Sequence, residues 1–162
     1  MERLIAGAII FHDAVLSPRR CDNEAASVRL WQRYARSGGR LPRQAIARVA
    51  AAIDGTGGHA TGQVGAGSGD AVILWVLDLD LASIGATACQ FRRNSSALRA
   101  EFGFRSAAEW KDRTLGFLGA LANRPQIFHS PRMAAAFERA ARANIAGEFR
   151  RAKAKAPPDK PR

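Results

Sequence analysis

Residues 70–91, DAVILWVLDLDLASIGATACQF, are the most apolar run of the chain, and a run of this kind belongs inside a fold. Two secondary structures compete for it. As a helix it starts at Asp70, whose carboxylate suits the free N–H groups and the positive end of the dipole, and it runs to about Leu79. As a strand it uses the β-branched and aromatic stretch Val72 to Leu77, followed by strict alternation through Asp78, Leu79, Asp80 and Leu81. A strand needs a partner, and only Leu4 to Phe11 offers one. A two-stranded sheet is marginal on its own. The expected fold is therefore mainly α, a single-domain bundle of about five to six helices with a Gly-rich loop. The alternative is an α+β fold with strands near 4–11 and 72–81.

Upstream of this run, seven of the fifteen residues from Gly55 to Gly69 are glycine, which reads as a connector because ordering glycine costs much backbone entropy. Before it, Pro42 suits the first turn of a helix with Ile46, Val49, Ala50 and Ile53 on its buried stripe, ended by Asp54-Gly55. Asp22 or Asn23 caps an earlier helix whose apolar face is Val28, Trp31 and Ala35, stopped by Gly38-Gly39. Leu4 to Leu16 puts Leu4, Ala8, Phe11 and Val15 on one face, and ends before Ser17-Pro18.

Downstream, Asn94-Ser95-Ser96 can start a short helix through Phe102. Ser106 and Glu109 form a capping box ahead of Trp110, Thr114, Phe117, Leu118 and Leu121, with Trp110 expected in the core. Ser130-Pro131 opens a last helix carrying Met133, Phe137, Ala141, Ile145 and Phe149 and ending at Arg150-Arg151. The domain is expected over 1–151, and 152–162, with Pro157, Pro158 and Pro161, as a disordered basic tail.

A chain of 162 residues at 47% hydrophobic composition supports one domain with a core. Its formal charge of +11 favours anionic partners and says nothing of fold. Cys21 and Cys89 are isolated, without a disulfide framework or zinc spacing, and a reducing cytoplasm is expected. Glu2 and Arg3 cancel before Leu4 to Phe11, so no secretory signal is expected, and no membrane span.

From Ala25 to Ile53 the chain carries Arg29, Arg33, Arg36, Arg40, Arg43 and Arg48 and no acid. Two helices joined by a Gly turn, with guanidinium forks that grip phosphates bidentately, describe a nucleic-acid surface or a solvated αα-hairpin. The segment fits a DNA-reading helix-turn-helix poorly, since Arg40 and Arg48 fall where apolar residues belong. A second basic cluster is Arg150, Arg151, Lys153 and Lys155. A third candidate sets Arg92, Arg93 and Arg105 near Phe91, Phe102, Phe104 and Trp110, rings that could stack on bases but are more often core.

Other motifs carry less. Gly62 to Ser68 has P-loop spacing without its Lys, and Gly55-Thr56-Gly57-Gly58-His59-Ala60 matches a dinucleotide pattern without the preceding strand. Asp78-Leu79-Asp80 after an apolar run resembles the first motif of haloacid-dehalogenase-type phosphatases, with Ala82 in place of the usual Thr. That resemblance implies a metal-dependent hydrolase using Asp78 and Asp80, but no second paired carboxylate site follows. His59 and His129 read as loop residues. The leading expectation is a non-enzymatic nucleic-acid-binding protein, its partner DNA, with no cofactor. An interaction module for an acidic protein comes second, and the small hydrolase is a remote third.

Overall fold

The computed structural model describes residues 1–39, 41–60 and 69–154. Over these it is helical, with α1 at Glu2–Phe11, α2 at Asn23–Ser37, α3 at Arg43–Thr56, α4 at Ala71–Leu81, α5 at Ala88–Glu101, α6 at Ala107–Ala122 and α7 at Pro131–Ala154. Short 3-10 turns follow α3 at Gly57–Ala60 and α4 at Ala82–Gly85. No strand occurs among the described residues, so the strands considered near 4–11 and 72–81 are both helices.

The central run is helical for the reasons legible at its start. Asp70 caps α4, its carboxylate accepting from the Val72 N–H at 2.8 Å. The alternation that imitates a strand resolves at helical spacing: Leu77 and Leu81 are buried four residues apart, while Leu79 faces out. A helix apolar on nearly every side must be wrapped, and α4 is shared between two cores. Val76 joins Ala8, Trp31, Val49 and Ile53 of α1, α2 and α3 in the first. Leu81 joins Phe91, Leu118, Leu121, Phe128 and Ile145 in the second. Each fully buried aliphatic side chain of this kind contributes about 1.5–3 kcal/mol.

Buried polar groups lock the elements. The Trp31 indole N–H donates to the Ile46 carbonyl at 3.0 Å, tying α2 to α3. The Asn144 amide donates to the Ile84 and Ala86 carbonyls at 2.8 and 2.9 Å, fixing the turn after α4 against α7. There the backbones approach so closely that a β-carbon on residue 85 would lie 2.6 Å from Phe137 Cβ, which is why that position is Gly85.

Several boundaries differ from expectation. α1 stops at Phe11, not near Leu16, and α5 is a full helix of 14 residues because Thr87 and Gln90 form a capping box upstream of Asn94. Asp22 stands at the N-cap of α2, but its carboxylate is taken by Arg20 and Arg29, and the Asn23 side chain bonds Ser17 instead. Gly55 and Thr56 extend α3 and the chain continues in the turn to Ala60, so the first residues of the expected connector are ordered against α4, with Gly55 beside Leu77. Ala152 to Ala154 belong to α7, not to the tail, since Ala and Lys propagate a helix until a breaker arrives. The Gly62 to Ser68 motif and residues 155–162 lie outside the described residues.

Candidate nucleic-acid interface

The capping box on α5 and a second one on α6, where Ser106 and Glu109 exchange bonds, fix where the two helices begin. α5 turns Phe91 into the core and so directs Arg92, Ser95, Ser96 and Arg99 along one outward strip, at i, i+3, i+4 and i+7. α6 begins with Trp110 and Lys111 against that strip, and the last turns of α7 bring Glu148 and Arg151 to the same place. The three helices enclose a groove of about 560 Å³.

Its charge is one-sided. Arg92, Arg99, Lys111 and Arg151 line it against Glu148, which is paired with Arg151 at 2.6 Å. Arg99 is locked by bonds to the Phe102 and Arg105 carbonyls at 2.8 and 3.1 Å, with its guanidinium 5.7 Å from the Trp110 ring centre. Phe102 lies 5.5 Å from Trp110 and 6.0 Å from Phe104, and Arg19 and Arg105 sit over Phe104. Trp110 is half-buried beside the groove, not in the core where its helical spacing put it.

The arginines singled out from sequence separate into groups. Arg92 and Arg151 meet in the groove, while Arg93, Arg150 and Lys153 are exposed outside its lining. On the α2–α3 hairpin Arg33, Arg36 and Arg43 are exposed, and Arg29 is exposed but bonded to Asp22 at 3.2 Å. Arg48 is not available as a phosphate ligand, because Asp70 holds its guanidinium with two bonds of 2.7 and 2.8 Å. Arg40 and Lys155 lie outside the described residues. Sequence reasoning missed Arg99 and Lys111; the seven-residue spacing from Arg92 to Arg99 was the available signal.

The Asp78-x-Asp80 pair is not a two-carboxylate centre. Asp78 is fully buried and accepts from the His129 and Ser130 backbone N–H groups at 2.6 and 2.7 Å, at the start of α7. Asp80 faces elsewhere, bonded to His59 Nε2 at 2.9 Å and 3.4 Å from His12 Nε2. His59 is therefore a buried partner of Asp80 and not a loop residue at large. No group of three potential metal ligands occurs among the described residues.

This clamp fixes two protonation states. The hydrogen bond to Asp80 raises His12 to about 9, against the opposing effect of burial and with help from the Ile9 carbonyl. Burial is the largest influence on Asp80 and pushes it upward, but the bonds from His12 and His59 outweigh it and hold it at about 2. His12 thus stabilises the fold fully below pH 6.5, and that stability is lost as pH rises through about 9. Asp80 contributes above pH 3.8 and loses its contribution as pH falls towards 2. Urea titrations should show a loss on the order of 2 kcal/mol between pH 6 and pH 9.5 that His12→Gln abolishes. An identical alkaline loss in the variant would assign it to other groups.

The chain matches no protein-family model, no curated protein and no solved structure. What the fold and the groove define is a class: an all-helical domain with a basic groove walled by an aromatic side chain. No single helix among the described residues is long and apolar enough to cross a membrane.

Proposed function

We propose that this protein binds nucleic acid without acting on it as an enzyme, through the groove between α5, α6 and α7. The observation that carries the reading is convergence: Arg92, Arg99 and Lys111 line one groove beside Trp110, and its one acid, Glu148, is paired with a fourth cation, Arg151. Guanidinium forks and an ammonium group suit phosphate oxygens, and an indole suits a base. The α2–α3 arginines and the end of α7 add to the attraction at longer range.

If the three groove cations outside the Glu148 pair meet phosphates, log K against log salt has a slope of about −2.7 on duplex DNA and about −2.1 on a single strand. The double variant Arg92→Ala, Lys111→Ala should flatten it by up to about 1.8 or 1.4 respectively. The triple variant Arg29→Ala, Arg33→Ala, Arg36→Ala should change it less, since those side chains lie outside the lining of this groove. A groove variant with wild-type binding at every salt rejects the reading. If only the α2 variant flattens the slope, the interface is the hairpin.

One observation favours a second reading for that hairpin. Tyr34 and Leu41 are 62% and 39% exposed among Arg33, Arg36 and Arg43. Exposed apolar groups between cations suit an acidic protein better than a phosphate backbone.

A further inference from the structure

Trp110 borders a second hollow as well, a cleft of about 750 Å³ whose wall shares Ser95, Trp110, Thr114 and Glu148 with the groove. The two differ in charge and in floor. Asp13, Asp80, Glu101 and Glu148 line the cleft together with His59 and Arg113. Asp80 is held by His59 and His12, Asp13 lies 3.4 Å from His12, and Glu148 is paired with Arg151. Burial raises the Asp13 carboxyl above its ordinary range; His12 opposes this, while the charges of Asp80, Glu24 and Glu101 add to it. Among the described residues, Glu101 is the carboxylate of the cleft that has no ion pair. Phe91, Leu98, Phe102 and Phe117 give it an apolar lining, and Asn94 and Ser95 bring polar groups to it.

These differences sort the parts of a nucleotide. A phosphate is drawn to the cations of the groove, whereas the cleft offers it carboxylates and aromatic carbon. A neutral aromatic base, with apolar faces and N–H edges, has the opposite preference, and the cleft falls within the range of small-ligand sites. Carboxylates accept and cannot donate, so they favour bases with an exocyclic amino group over thymine or uracil.

We propose that the two hollows form one site for single-stranded nucleic acid, with phosphates in the basic groove and one unpaired amino-bearing base in the cleft beside Trp110. This rests on the nucleic-acid reading above and narrows it. A duplex presents its bases paired and stacked, and extracting one costs a few kcal/mol, so duplex DNA reaches only the groove.

Fluorescence anisotropy at one salt concentration tests this with oligocytidylate, oligothymidylate, an abasic strand and a duplex of equal length, and with heparin as a base-free polyanion. Oligocytidylate should bind on the order of ten- to a hundredfold tighter than the abasic strand, the worth of one base–aromatic stack. It should also exceed oligothymidylate and the duplex. Trp110→Ala, checked for folding by circular dichroism, should lose that margin and keep its affinity for heparin. An abasic strand bound as tightly as oligocytidylate by the wild-type protein overturns the inference and leaves polyanion binding standing. Equal binding of the two base-bearing strands overturns the assignment of the base. Failure of every probe, heparin included, overturns the nucleic-acid reading itself.

Discussion

Asp78→Ala is expected to destabilise the protein by about 2–6 kcal/mol, the cost of leaving two buried backbone donors without an acceptor. The carboxylate is wholly inside and takes the backbone N–H groups of His129 and Ser130. Removing it leaves both donors buried and unsatisfied, at about 1–3 kcal/mol each, and takes a negative charge from the N-terminus of α7. The consequences reach further than one bond, because the segment 123–130 has little regular structure of its own. It is held by Asp78 from α4, by Glu138, which accepts from the Ile127 and Phe128 N–H groups, by Arg142, which donates to the Ala122, Arg124 and Pro125 carbonyls, and by its own Arg124, which donates to the His59 carbonyl at 2.6 Å. Asp78→Asn keeps one acceptor oxygen and should cost clearly less. Denaturant titrations of both variants make the comparison. A loss below about 1 kcal/mol for Asp78→Ala would mean that Glu138, Arg142 and Arg124 hold the segment without it.

Phe128→Ala should cost a similar amount, about 3–5 kcal/mol, as a fully buried aromatic that leaves a void. The ring has no solvent exposure and lies 5.9 Å from Phe137, among Leu118, Leu121, Met133 and Ile145. Trp110→Ala should cost less than Phe128→Ala despite the larger side chain, since the indole is half-buried at the rim of two hollows. The order of the two losses, read from one urea series, checks the assignment of core and site together. A Trp110 loss as large as that of Phe128 would return the indole to the core.

That pair of residues marks the limit of periodicity. Trp110 shares a helical stripe with Leu118 and Leu121, yet stands a turn or two before α6 reaches the second core, so the stripe enters the core late. Phe128 lies in an irregular segment between α6 and α7, where spacing carries no signal. Both cases have one physical cause: pattern reports which residues share a face, and only packing reports how far along the face a neighbour extends.

The charges divide in the same way. Composition alone fixed the net charge, and the acid-free run from Ala25 to Ile53 was plain. Which cations meet was decided by distant partners: Asp70 takes Arg48 from 22 positions away, while Arg151 reaches Arg92 only because α7 folds back along α5 and α6.

By itself the sequence pointed to a mainly helical chain, through the Asp70 and Ser106 caps, the apolar stripes of α2, α3 and α7, and the marginal stability of a two-stranded sheet of 4–11 and 72–81, the alternative it left open. These are local properties, set within a turn or two of the residues that show them. Tertiary structure alone decided that α4 is shared by two cores, that Asp78 and Asp80 face different partners, and that a basic groove and an acidic cleft meet at Trp110. Each of these joins groups far apart in the chain, and a side chain's role there depends on burial and on the charge placed opposite it, neither of which a local pattern contains.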